Sequence, residues 1–126
     1  MDNPREHPAS RKVLIIDDED GVRGLCRRIV SSADMEPIEA ADGEEGLRAL
    51  GDILPDYVLL DINLPGRNGM EILKEVRRRF PRTRVVMITG YAEVDRAVTA
   101  MKLGAHDYIT KPFSPDRLRS VLRDGA

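Results

Sequence analysis

Four short apolar runs punctuate the chain: Val13-Leu14-Ile15-Ile16, Tyr57-Val58-Leu59-Leu60, Val85-Val86-Met87-Ile88 and Tyr108-Ile109. The first three are continuous rather than alternating. A strand that is apolar on both faces belongs inside a parallel sheet covered by helices. A weaker strand is predicted near Glu36 to Ala40.

The segments between these runs have helical spacing. Val22, Leu25, Cys26, Ile29 and Val30 form one apolar stripe. Ile72, Leu73, Val76 and Phe80 form another, Val94, Ala97, Val98 and Met101 a third, and Leu118, Val121 and Leu122 a fourth. Gly43 to Leu50 is predicted as a shorter helix with Leu47 and Leu50 facing inward. Pro81 and Gly104 act as helix stops, and Ser114-Pro115 as a helix start. Strand followed by helix, five times over, predicts an α/β fold: a doubly wound five-stranded parallel sheet with helices on both faces and right-handed crossovers. The flavodoxin-like strand order 2-1-3-4-5 is the natural candidate.

Composition narrows the picture. The 126 residues suffice for one core, and with no Trp that core must be aliphatic. Met1 to Ser10 is polar and contains proline, so residues 1–10 are expected to be a disordered tail and 11–126 the domain. No stretch has the apolar length of a membrane span or the pattern of a signal peptide, so a cytoplasmic protein is expected. A net charge of -2 gives no general reason to bind nucleic acid or membrane. Cys26 is the only cysteine and falls on an apolar stripe, which reads as a buried structural thiol. Arg77, Arg78, Arg79, Arg82 and Arg84 form a basic cluster, read as a solvated helix end. His7 falls in the tail, and His106, at the start of the last strand, reads as a boundary residue.

The chemistry follows the strands. Asp17, Asp18 and Glu19 come after the first, Asp61 after the third, Thr89 after the fourth and Lys111 after the fifth. Ligands of open α/β sheets bind at the carboxyl ends of the strands, beside the switch in strand order. Crowded carboxylates repel, and a divalent cation relieves that repulsion. Mg2+ takes oxygen ligands and leaves room for phosphate oxygens. A carboxylate there can act as a nucleophile and form an aspartyl phosphate, with Thr89 as a hydroxyl donor and Lys111 as a point cation for phosphate.

Four motifs in this order resemble the motif set of response-regulator receiver domains of two-component signalling. They are Val13 to Glu19, Leu60 to Gly69, Met87-Ile88-Thr89-Gly90-Tyr91 and Lys111-Pro112-Phe113. Ile88 to Ala92 with Gly104-Ala105 looks closest to receivers attached to sigma-54-dependent activators.

The resemblance implies that a sensor histidine kinase, or a small acyl phosphate, phosphorylates Asp61. It implies a Mg2+ ion held by Asp18, Asp61 and the backbone carbonyl of Asn63, with Asp17 acting mainly through bound water. Lys111 would contact the phosphoryl oxygens, and Lys111-Pro112 would be cis. Thr89 and Tyr108 would form the switch, and the side chains of Asn63 and Tyr91 would tune phosphoryl loss. The surface of the fourth helix, last strand and fifth helix would change shape, with Glu93, Asp95, Arg96 and Lys102 on its rim. That surface would engage a downstream effector or, on phosphorylation, a second copy. Such a domain would catalyse its own phosphorylation and dephosphorylation without being an enzyme in the turnover sense.

Other readings compete. A dehalogenase-type phosphohydrolase also uses an aspartyl nucleophile, but places it in Asp-x-Asp at the first strand. This chain has Asp17-Asp18-Glu19 there. A receiver-like binding module without phosphorylation would lack one of the acids or the lysine. A flavin-binding relative would need a phosphate-binding loop where these acids stand.

Overall fold

The computed structural model describes residues 11–66, 68–90 and 94–123. Five strands alternate with five helices. They are β1 (Lys12–Ile16), α1 (Asp20–Ser32), β2 (Glu36–Ala40), α2 (Gly43–Ile53), β3 (Tyr57–Asp61), α3 (Gly69–Arg79), β4 (Arg84–Thr89), α4 (Val94–Lys102), β5 (Asp107–Thr110) and α5 (Pro115–Arg123). All strand pairs are parallel, as the apolar runs imply, and the sheet order is β2-β1-β3-β4-β5, the flavodoxin-like order expected for five such strands.

Alternation along each central strand sorts its side chains between two cores. Leu14, Ile16, Val58, Leu60, Val85 and Met87 face α2, α3 and α4, where they meet Leu47, Leu50, Ile72, Leu73, Val76, Ala97 and Ala100. Val13, Ile15, Leu59, Val86, Ile88 and Ile109 face α1 and α5, where they meet Cys26, Ile29, Leu118, Val121 and Leu122. β1, β3 and β4 are thus apolar on both faces because both faces are covered.

Local signals set the helix starts. Asp42 Oδ1 accepts the Glu45 N–H, Asn68 Oδ1 accepts the Glu71 N–H, and Ser114 Oγ accepts the Arg117 N–H. Pro115 is the first residue of α5. α2 runs three residues beyond the expected Leu50 and closes on Leu54 in the left-handed region at φ 46. β5 extends to four residues, and His106 stands just before it, donating its N–H to the Val85 carbonyl. α4 departs most from its pattern. It buries Ala97 and Ala100, whereas Val98 and Met101 of the same stripe remain 47% and 38% exposed. Its inward face is therefore built from alanines, which let a short helix sit close to the sheet.

Two glycines test opposite consequences of packing. A Cβ at Gly69, the first residue of α3, would lie 2.5 Å from the Asp61 carbonyl oxygen and 2.9 Å from Ile62 Cα. Both are backbone atoms with little freedom to move. Gly51, on the exposed side of α2, has nothing within 4 Å. Gly69→Ala is expected to lower the unfolding free energy by about 1–3 kcal/mol. Gly51→Ala is expected to raise it by roughly 0.5–1 kcal/mol through helix propensity. Urea unfolding at neutral pH measures both, and a shift of the same sign in the two variants contradicts the assignment.

Candidate functional site

The parallel register carries the candidate residues to one rim. Ile16 is opposite Leu60 and Asp61 is opposite Ile88, so Asp17 emerges beside Asp61 at the carboxyl ends of β1 and β3. Thr89 pairs with Thr110, and the Lys111 N–H donates to the Thr89 carbonyl at 2.7 Å. The Lys111-Pro112 peptide is cis.

Lys111 Nζ lies 3.0 Å from Glu19 Oε1, 3.5 Å from Asp17 Oδ2 and 3.6 Å from Asp61 Oδ2. Backbone donors hold the other carboxylate oxygens. The Glu19 N–H donates to Asp17 Oδ1 at 2.9 Å, and the Asn63 N–H donates to Asp61 Oδ1 at 3.1 Å. Arg23, which also pairs with Asp20, donates to the Asp17 carbonyl. Asp17 is fully buried and Asp61 is 6% exposed. Asp17 Oδ2 has the Lys111 ammonium nearby but no hydrogen-bond partner among the described residues.

Burial pushes the carboxyl groups of Asp17 and Asp61 above the usual carboxylate range. The backbone donors and Lys111 oppose this, while the Asp61 charge adds to the rise at Asp17, and those of Asp18 and Glu19 add to it at Asp61. For Lys111, partial burial alone would lower the ammonium pKa. The hydrogen bond to Glu19 and the charges of Asp17, Asp61 and Glu19 outweigh it, and the net shift is upward.

An orphaned buried carboxylate oxygen among acids is the environment that a hard cation fits. Carboxylate oxygens of Asp17, Glu19 and Asp61 lie within 4.8 Å of one another. Asp18, expected from the sequence as a direct ligand, is exposed and stands outside this trio, although its charge acts on Asp61. Sequence reasoning quoted Glu19 without giving it a role. Its partner Lys111 is 92 positions away, a separation that no local pattern reveals.

Thr89 is buried beside this rim, and its hydroxyl donates to the Gly90 carbonyl at 3.1 Å. Tyr108 is partly buried against the α3–α4 core. Asn63 is exposed, and its side-chain oxygen accepts from Arg96 Nη1 at 2.7 Å. This second long-range tie was also not anticipated. Tyr91, Glu93, His7 and the expected tail 1–10 lie outside the described residues. Cys26 is buried, and burial pushes its thiol up to about 12, so it stays protonated at neutral pH.

The family model for the response regulator receiver domain matches residues 13–123. The chain belongs to that family. The receiver is 41% identical over 115 residues to the regulatory protein AtoC of Escherichia coli, covering 91% of this chain and 25% of AtoC. It is 36% identical over 110 residues to the DNA-binding transcriptional regulator NtrC of Escherichia coli, covering 87% of this chain and 24% of NtrC. The receiver therefore spans about a quarter of the length of these curated relatives. The crystal structure of the NtrX receiver domain from Brucella abortus superposes with a TM-score of 0.86 at 38% identity, over 90% of this chain and 96% of that one. AtoC, NtrX and NtrC are relatives of the kind to which Ile88 to Ala92 pointed, the sigma-54 activators. Among the described residues, no helix is long and apolar enough to cross a membrane.

The crowding of acids carries a pH signature. In the folded receiver Asp61 holds its proton above pH 3.8, where the carboxyl of an unfolded chain has lost it. The folded state then binds more protons, so this group makes stability fall as pH rises through that window. In the absence of divalent cations, Asp61→Asn is expected to raise the unfolding free energy at neutral pH by on the order of 1 kcal/mol. The gain should vanish below pH 3.8, where both states are protonated. Urea titrations across pH check this, and a loss of stability at neutral pH would contradict it.

Proposed function

We propose that this receiver is a phosphorylation-dependent signalling switch that accepts a phosphoryl group on Asp61 in a Mg2+-dependent reaction. The observation that carries the reading is Lys111 Nζ within 3.6 Å of two buried carboxylates at neighbouring strand ends, one of which has an orphaned oxygen. A purely structural ion pair would satisfy that oxygen rather than bury it.

In this reading an Asp61 carboxylate oxygen attacks the phosphorus of a phosphohistidine on a sensor kinase, or of a small acyl phosphate. The new O–P bond forms as the P–N or acyl O–P bond breaks. The leaving imidazole or carboxylate takes the bonding pair, and the imidazole picks up a proton. The Asn63 N–H fixes the orientation of Asp61 by holding Oδ1. By the family resemblance Asp61, Asp18 and the Asn63 carbonyl would hold Mg2+, with Asp17 acting through bound water, beside the trio of acids Asp17, Glu19 and Asp61 that the fold gathers. When bound, the ion would offset the charge of carboxylates and phosphoryl oxygens. Lys111 is held at the site by three acids and can turn its ammonium to the phosphoryl oxygens without leaving it.

The response starts at Thr89. Its hydroxyl donates to a neutral backbone acceptor, the Gly90 carbonyl, and a dianionic phosphoryl group is a stronger one. Thr89 turning inward vacates space that Tyr108 can fill, which reshapes the surface of α4, β5 and α5. Val98, Met101 and Leu103 are exposed on the α4 side of that surface. They suit an effector domain or a second phosphorylated copy as partner, without direct contact between this domain and nucleic acid. Such a switch works in the cytoplasm, where kinase and effector meet.

Intact-mass spectrometry after incubation with acetyl phosphate and Mg2+ tests the chemistry. One phosphoryl group per wild-type chain is expected, and none in Asp61→Asn or in EDTA. Equal labelling of Asp61→Asn would sink the assignment. By the family resemblance, Tyr91 would tune phosphoryl loss by slowing the attack of water. Tyr91→Ala is therefore expected to shorten the phosphoryl lifetime several-fold, and unchanged decay of the labelled mass would remove Tyr91 from that role.

A further inference from the structure

The basic segment Arg77 to Arg84 takes no part in this switch. It lies at the rim opposite Asp61, where α3 and α4 end and β4 and β5 begin. Two clefts open there side by side and share Pro81 and Arg82. The larger, about 640 Å³, is lined by Arg77, Arg82, Arg84 and His106 around Gly104, and no lining residue is acidic. The smaller, about 440 Å³, presents Leu54, Pro55 and Phe80. Its one acid, Asp56, accepts the Lys12 N–H.

Arg77 and Arg84 are held in place, whereas Arg82 reaches into solvent at the seam between the clefts. Arg77 Nη1 donates to the carbonyls of Pro81 and Thr83, both at 3.0 Å. Gly104, at φ 107, leaves room for that side chain, since a Cβ there would stand 3.0 Å from Arg77 Nε. Arg84 lies 5.9 Å above the Tyr57 ring, and the His106 ring meets Tyr57 edge-on at 6.2 Å. Tyr57 is itself anchored by its hydroxyl to the Leu122 carbonyl at 2.8 Å. In the neighbouring cleft Leu54 is 66% exposed and left-handed, a strained and wet position for leucine.

We propose that the two clefts form one binding site for a nucleotide-class ligand. Arg82 and Arg84 take the phosphates, and Leu54 and Phe80 take the base. Guanidinium groups match phosphate oxygens in paired hydrogen bonds. Clefts of a few hundred Å³ suit small ligands that combine an apolar body with a few fixed polar contacts. A bare anion would leave the apolar cleft unused, and an apolar ligand would leave the arginines unused. The site is independent of Asp61 chemistry.

The test is titration of the full chain with ADP, pyrophosphate and adenosine, in EDTA so that no metal bridges phosphate to the acidic rim. Backbone amide shifts are read by NMR. ADP is expected to move the amides of Arg82, Arg84, Gly104 and His106, and to bind roughly tenfold more tightly than pyrophosphate or adenosine. Arg82→Ala should weaken ADP about tenfold. Leu54→Ser should weaken ADP and leave pyrophosphate unchanged. Both side chains are exposed, so a melting curve like that of the wild type is expected for each variant. Pyrophosphate binding as tightly as ADP would overturn the nucleoside assignment. Undiminished ADP binding by Arg82→Ala, or wild-type ADP shifts confined to the Asp61 rim, would overturn the site.

Discussion

Two carboxylates buried side by side at the ends of β1 and β3 are the constraint around which the receiver is organised. Without compensation such a pair would bind protons or force the strands apart. Three compensations are built from different parts of the chain. The backbone N–H groups of Glu19 and Asn63 each hold one oxygen, and Lys111 arrives from the far side of β4. Each depends on strand register. A slip of one residue would turn Asp61 to the opposite face of the sheet.

That register is secured by the aliphatic filling of both cores. In a chain without Trp, tight interdigitation of Leu, Ile and Val has to replace large rings, and the three central strands supply it on both faces. The same packing brings α3 against the end of β3 so closely that only glycine fits at position 69. The Asp61 loop is thus pinned from below by backbone and from within by its own Asn63 N–H.

Much of this was legible in sequence because it is local. Continuous apolar runs marked β1, β3 and β4, and the polar residues that break those runs were the site residues Asp17, Asp61 and Thr89. The resemblance in four motifs supplied the cis Lys111-Pro112 bond, which spacing alone could not. Long-range pairings were not legible. Glu19 meets Lys111 across 92 positions and Asn63 meets Arg96 across 33, and neither residue sits in a periodic pattern that names its partner. The exposed Val98 and Met101 misled in another way. They keep helical spacing, yet the small Ala97 and Ala100 are what α4 turns inward.

Strand polarity also accounts for the placement of one acidic and one basic cluster in a chain whose net charge is only -2. In a parallel sheet every crossover helix runs back against the strands, so helix N-termini gather at the carboxyl rim and C-termini at the amino rim. Acids are favoured beside N-termini and cations beside C-termini. Asp17 to Asp20, Asp42 and Glu44-Glu45 lie on the first rim, and Arg77 to Arg84 on the second. Dipole preference explains the sorting but not the shape that results. Solvated cations would suffice at the amino rim, whereas Arg77 is tied to carbonyls and Arg84 to Tyr57. Ordering long side chains costs conformational entropy, and a rim that only balanced helix dipoles would not require it.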